Sequence, residues 1–166
     1  MGTLVVYASK HGTSKLYAEH FAKKGGLEVI DYKQLKKHVE DYDSLVFFGG
    51  VYFNKATGVK ELLKVPKETA ITFVSVGISG YDDISLKRSL KSQLNGYFPN
   101  IQFYHLRGMV DKKQLTSIER LIVHLVARSK SKDPNDPAHT DFEKIFHNET
   151  VDLRDMGKLD FVQSLQ

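Results

Sequence analysis

The chain predicts a doubly wound α/β fold, with five parallel strands in the order 2-1-3-4-5 and helices on both faces. Three observations lead there. Apolar, β-branched runs alternate with stretches of helical periodicity, the pattern of consecutive βαβ units. Runs such as "TLVVYA" and "TAITFVSV" are almost continuously apolar, as strands covered on both faces must be. Right-handed crossovers then leave few strand orders.

The elements follow in turn. Residues 3–8 are strand one, ending at small residues. From Ser14, Leu16, Tyr17, Phe21 and Ala22 recur at helical spacing, and Gly25-Gly26 stops the helix. Residues 27–32 alternate as strand two, and the basic "KQLKKHVEDY" reads as a short helix. Residues 44–49, "SLVFFG", form strand three, and "KATGVKELLK" is a short helix weakened by Gly58. Residues 69–76 are strand four, residues 83–94 a helix, and residues 101–106 strand five.

One covering helix should finish this plan. Residues 152–165 supply it, with Leu153, Met156, Leu159, Val162 and Leu165 on one face. A further helix over residues 111–130 comes first, followed by "SKSKDPNDPAHTD", whose two prolines and many polar residues are loop chemistry. Residues 109–150 therefore read as an insertion within one domain of 166 residues.

Composition narrows the function. With 41% hydrophobic and 27% charged residues, the chain can bury a core of ordinary size. The absence of cysteine excludes disulfides, thiolate metal sites and cysteine nucleophiles, and no metal site is expected. The start has no secretory pattern, and Val6 breaks the myristoylation motif, so a cytoplasmic location is expected. Net charge is +4. The basic residues are spread over several helices, and no nucleic-acid-binding motif appears, so nucleic acid is not an expected partner.

The junction after strand one reads Ser9, Lys10, His11, Gly12, Thr13, Ser14. A helix starting there aims free N–H groups and its positive dipole end at the sheet's carboxyl edge, where anions bind. Ser9, Thr13 and Ser14 add hydroxyls, Gly12 permits close approach and Lys10 adds charge; a plain N-cap at Thr13 or Ser14 is the competing reading. Neither G-x-x-x-x-G-K-[ST] nor G-x-G-x-x-G occurs, and no acid closes strand three. The loop after strand three carries Gly50, Val51, Tyr52, Phe53 and Asn54. The loop after strand four carries Val76, Gly77, Ile78, Ser79, Gly80 and Tyr81. Aromatic residues on two such loops can grip a flat heterocycle, or simply pack on the core.

These three strand ends resemble the flavodoxin family, whose first turn reads T-x-T-G-x-T. The matching residues are Ser9, His11, Gly12, Thr13 and Ser14, with His11 where the family has a hydroxyl. The resemblance implies FMN, its phosphate held by Ser9, Gly12, Thr13 and Ser14, and its ring stacked by Tyr52 and by Tyr81 or Phe53. Gly50, Gly77 and Gly80 would add main-chain contacts. "YDSLVFFGGVYF" and "LRGMVDKKQLTSIERLIVHLVARS" are similar to the flavodoxin-type protoporphyrinogen dehydrogenases. That likeness implies an FMN-dependent oxidoreductase, with a porphyrinogen-like substrate and a quinone acceptor. Arg107, ending strand five, would meet a substrate carboxylate or cap its loop. An electron shuttle working with a redox partner protein, and a fold that binds no FMN, remain the alternatives.

Leu115, Ile118, Leu121, Ile122, Leu125 and Val126 form an apolar stripe among Lys112, Lys113, Arg120, His124, Arg128, Lys130 and Lys132. Such a helix packs on the sheet edge or a second subunit, or lies on an anionic membrane. The net charge and Lys55 should favour a negatively charged reduced flavin by Coulomb attraction.

Overall fold

The computed structural model describes residues 2–94 and 96–164. Strands β1 (Thr3–Ala8), β2 (Glu28–Asp31), β3 (Ser44–Tyr52), β5 (Ala70–Gly77) and β6 (Gln102–Arg107) pair in parallel in the order β2-β1-β3-β5-β6. The two-residue β4 (Lys55–Ala56) is a hairpin return that pairs antiparallel with the end of β3. Without β4, the five parallel strands take the predicted order.

Helices cover both faces. On one, α2 (Leu35–His38), α3 (Val59–Leu62) and α4 (Ile84–Leu94) bury Leu35, Leu62, Leu86, Leu90 and Leu94 against Leu4, Val6, Phe47 and Phe73. On the other, α1 (Thr13–Gly25) and α7 (Met156–Ser164) set Tyr17, Phe21, Leu159 and Val162 against Val5, Val46, Phe48 and Val74. The alternating side chains of each strand thus feed both layers, which is why the strands read as continuously apolar. The Tyr17 hydroxyl joins three elements: it donates to the Arg107 carbonyl at 2.7 Å and accepts from the Asp155 amide at 3.0 Å. Burial pushes its pKa up to about 12.

The register sets the site. Ala8 lies beside Gly49, Gly50 beside Val76, and Gly77 beside Arg107. The carboxyl ends of β1, β3, β5 and β6 therefore finish level, with their loops side by side.

Several boundaries differ from the sequence reading. Strand three runs on to Tyr52, because β4 pairs with its end. Gly58 does not weaken α3. It is the helix's N-cap at φ +84°, and a Cβ there would lie 2.7 Å from Phe47 Cζ and 2.8 Å from Ala8 Cβ. The helix predicted over 111–130 begins at Ser117 as α5 (Ser117–Lys130). Thr116 caps the Glu119 amide and Glu119 caps the Thr116 amide in return, while Lys112–Gln114 form a 3₁₀ turn. The polar stretch after α5 ends in a helix, α6 (His139–His147), which buries Phe142 and Ile145. Thr150–Asp152 form β8, antiparallel to β7 (Met109–Asp111), so the last helix starts at Met156 instead of 152. Leu165, at its predicted end, lies outside the described residues. Around Val110, Ala127, Ala138, Phe142, Ile145 and Val151 the inserted segment has a small core of its own.

The orientation of α5 is the largest departure. Of the predicted stripe, Ile118, Leu121 and Leu125 are exposed. The face turned toward the cavity and α6 carries Glu119, Val123, Val126, Ala127 and Lys130. Two charges are tolerated there because each has a partner, Glu119 with Lys10 and Lys130 with Asp136. Among the described residues no helix is long and apolar enough to cross a membrane.

Candidate functional site

A cavity of about 470 Å³ opens at the carboxyl ends of β1, β3 and β5. It is lined by Ser9, His11, Thr13 and Ser14 from the first junction and by Gly50, Val51, Tyr52, Phe53 and Asn54 from the second. Val76, Gly77, Ile78 and Ser79 line it from the third. Lys10, Gly12, Gly80, Tyr81 and Arg107 stand outside the lining. The inserted segment supplies the opposite wall, including Met109, Val110, Leu115, Val123, Val126 and Phe142. The wall is mainly apolar, with Asp111, Glu119 and Lys130 as its charged residues.

At the first junction Gly12 takes φ +92°, a left-handed conformation that a side chain would strain. Its amide donates to Ser9 Oγ at 2.9 Å. No side chain caps α1, so its first turn offers amide donors and a positive dipole end to an anion. Ser14 is buried beside it, and a Cβ on Gly50 would come within 3.4 Å of Ser14 Oγ, the Ala8 carbonyl and the Tyr52 ring. His11 presents its ring edge to Tyr52 at 5.8 Å. Its buried Nε2 makes no hydrogen bond, and Glu119 Oε1 lies 3.9 Å away.

The second loop is a tight hairpin. Phe53 and Asn54 both have positive φ, at 51° and 59°, as the two-residue turns that suit strand twist require. For a bulky aromatic this costs about 1–2 kcal/mol, offset by the β3–β4 pairing and by α4. Ser89 Oγ and Gln93 Nε2 donate to the Asn54 carbonyl at 2.9 and 3.0 Å. Phe53 is thereby held out at the loop tip, 54% exposed. Burial, with the Glu119 charge as a smaller cause, pushes the Tyr52 hydroxyl up to about 12.

Two side chains of β6 support the third loop. His105 Nε2 lies 3.1 Å from the Ser79 carbonyl, and its Nδ1 lies 2.8 Å from Ser75 Oγ. A carbonyl only accepts, so Nε2 carries the proton, and in the neutral ring Nδ1 is an acceptor that shares the Ser75 hydroxyl with the Tyr104 carbonyl, 3.2 Å from Ser75 Oγ. Burial lowers the His105 pKa, consistent with that neutral form. Arg107 Nη2 donates to the Ile78 carbonyl at 3.1 Å, and Nη1 pairs with Asp141 of α6. Arg107 is thus a buried strut between the loop and the insertion, and its charge is already matched. Tyr81 meets His105 edge-on at 6.4 Å with Lys158 over its ring at 5.2 Å, and it is not part of the cavity lining.

Glu119 is the residue that sequence reasoning missed as part of the site. Oε2 accepts from the Thr116 amide and Thr116 Oγ1, both at 2.9 Å, and Oε1 pairs with Lys10. The Lys10 ammonium, then the Thr116 hydrogen bonds, hold its carboxyl down at about 2. "TSIE" carries the capping-box signature, yet nothing in it points to Lys10, 109 residues away. Among the lining residues the charged ones are Asp83, Asp111, Glu119 and Lys130, and Lys10 lies over the Tyr52 ring at 5.8 Å, while Lys55 is exposed on β4 and outside the lining.

The donor set fits a phosphate-bearing, flat ligand. An uncapped helix end, three hydroxyl-bearing residues and a glycine cradle meet two loops carrying Tyr52 and Phe53. Glu119 is the one anion already beside the phosphate end. Among the described residues no group of three His, Cys, Asp or Glu side chains is placed to hold a metal.

Several solved structures are similar to this chain. A Bacteroides eggerthii flavoprotein shares 14% identity, covering 76% of this chain and 98% of that one, with a TM-score of 0.50. An FMN-bound Fusobacterium nucleatum flavodoxin shares 17%, covering 65% and 72%, with a TM-score of 0.44. A flavodoxin from the domain Archaea shares 15%, covering 89% and 100%, with a TM-score of 0.45. No curated protein matches the sequence. The flavodoxin-domain family pattern matches residues 4–137, most of the chain and all three cavity loops, and the protein belongs to that family.

Proposed function

We propose that the protein binds FMN and works as an oxidoreductase on an organic substrate. The observation that carries this reading is the convergence of three loops, 9–14, 50–54 and 76–79, on one cavity, in a chain of the flavodoxin-domain family. Bound FMN would supply the electron-transfer chemistry. The chain's residues have positioning roles. Ser9, Thr13, Ser14 and the first amides of α1 would hold the phosphate, and Tyr52 and Phe53 would flank the ring. The apolar wall from α5 and α6 keeps water away from the reacting edge. No side-chain nucleophile is required, and Arg107, paired with Asp141, is not assigned to a substrate carboxylate.

The finer proposal is oxidation of a porphyrinogen with a quinone as acceptor, and it rests on the sequence resemblance. A cavity of about 470 Å³ suits one cofactor-sized ligand, so a macrocycle would need α5 to shift. The exposed ridge of Ile118, Leu121 and Leu125, with His124 and Arg128 beside it, is proposed as a contact with anionic membrane, where quinones reside. A second reading, an electron carrier without a substrate of its own, is favoured by the acids lining the cavity. A negative surround opposes any group that gains negative charge there.

Protein reconstituted with FMN and mixed with a porphyrinogen and a quinone tests the first reading. Repeated turnover, followed by porphyrin fluorescence, is the expected result. Flavin reduction by a reductase with no porphyrin formed would assign the protein as a carrier.

A further inference from the structure

We propose that Glu119 is an internal competitor for the phosphate-binding turn, so that seating a phosphate there releases the first turn of α5 from the sheet. The proposal rests on the FMN reading above and concerns the control of that same site.

The two carboxylate oxygens have separate tasks. Oε2 is committed to the start of α5 through the amide and hydroxyl of Thr116. Oε1 reaches across to the first junction, where it pairs with Lys10 and faces the buried, unpartnered His11 Nε2 at 3.9 Å. Glu119 therefore fastens the inserted helix to the turn that the family uses for phosphate. It does so with an anion, held by Lys10 and facing His11, both within the same 9–14 turn whose hydroxyls and amides would hold an incoming phosphate.

The surroundings make this a competition. The carboxylate is only 13% exposed, whereas Lys10 is half exposed. The N-terminus of α5 holds the carboxylate through Thr116, and Lys10 and His11 meet it from the first junction; a helix N-terminus favours negative charge. One anion satisfies that arrangement. Adding a second, doubly charged one places like charges together in a partly buried site. The less costly outcome is for Lys10 and His11 to turn to the phosphate and for Glu119 to leave. Glu119 lies on the same face of α5 as Val123 and Val126, which wall the cavity. Releasing it loosens the helix turn nearest the phosphate and widens access to the apolar half. FMN binding and opening of the insertion would then be one event.

Calorimetric titrations with FMN and with riboflavin, which lacks the phosphate, separate this from a purely structural role. The variant is Glu119→Gln, because glutamine keeps the capping box and so the start of α5. The expected result is FMN affinity raised about tenfold or more, with riboflavin affinity unchanged. Hydrogen exchange supplies the second readout. In the wild-type protein, amides 117–121 should exchange faster when FMN is added and not when riboflavin is added. An FMN affinity that is unchanged or weaker in the variant overturns the proposal, as does an equal gain for riboflavin. FMN binding by the variant alone supports it strongly. Absence of FMN binding by both proteins overturns the cofactor reading itself, and this proposal with it.

Discussion

Arg107→Met tests how the insertion is fastened to the sheet. The side chain is 9% exposed, pairs with Asp141 and donates to the Ile78 carbonyl at 3.1 Å. Removing one member of a buried pair costs about 3–5 kcal/mol, because the other charge is left unmatched. Asp141 is 25% exposed and has Lys144 at 3.6 Å, which moves the cost to the low end of that range or below it. The lost bond to Ile78 restores about 1 kcal/mol of cost. The expected destabilisation is therefore about 3 kcal/mol. For a domain of this size that lowers Tm by roughly 6–12 °C. Asp141→Asn should cost less, since the Arg107 bond to Ile78 survives. Combining Arg107→Met with Asp141→Leu should cost about 1–2 kcal/mol less than the sum of the single changes. Urea titrations of the wild type, the Arg107→Met and Asp141→Leu single variants and the double variant measure this cycle. Single changes costing under about 1 kcal/mol and adding within about 0.5 kcal/mol would show that Arg107 is no strut.

Gly58→Ala should destabilise by about 3 kcal/mol, combining left-handed strain with overlap against Phe47 and Ala8; a lowered urea midpoint at unchanged slope is the readout. Tyr17 and Tyr52 ionise near 12 in the folded protein against an ordinary 10. The unfolded chain releases those protons first, so stability should fall as pH rises from 10 toward 12, and less so in Tyr52→Phe. Glu119 works in the opposite direction, with its carboxyl at about 2 against 4.5. Its stabilisation is complete above pH 4.5 and fades as pH falls toward 2, and Glu119→Gln should lose that part of the acid dependence. Leu121→Glu, on the exposed ridge of α5, should abolish sedimentation with anionic vesicles and leave the Tm within a few degrees. Sedimentation equal to wild type would remove the membrane contact.

The parts legible in the sequence are those governed by local chemistry. β-branched runs gave the five parallel strands, and glycine with hydroxyl residues marked the first junction. The two later loops were located by their glycines and aromatic rings. What stayed hidden depends on long-range pairing. β7 and β8 have three residues each and one buried apolar residue apiece, too little for any periodicity to register. The signal for α6 was present in Phe142, Ile145 and Phe146, but the prolines at 134 and 137 just before it suggested a longer loop. For α5 half of the predicted apolar stripe, Ile118, Leu121 and Leu125, is exposed, while Leu115 and Val126 line the cavity. The face that docks carries Glu119 and Lys130, which are charged residues until their partners Lys10 and Asp136 are known. Arg107 reads as a substrate contact or a loop cap for the same reason, since Asp141 lies 34 residues further on.

The most direct measurement is an equilibrium titration of FMN with the purified protein, followed by quenching of flavin fluorescence and by calorimetry. Saturable binding of one FMN per chain is predicted, weakened by Gly12→Ala, whose left-handed backbone shapes the turn. No quenching and no heat at saturating protein would contradict it, and would leave the flavodoxin-domain fold without its proposed cofactor.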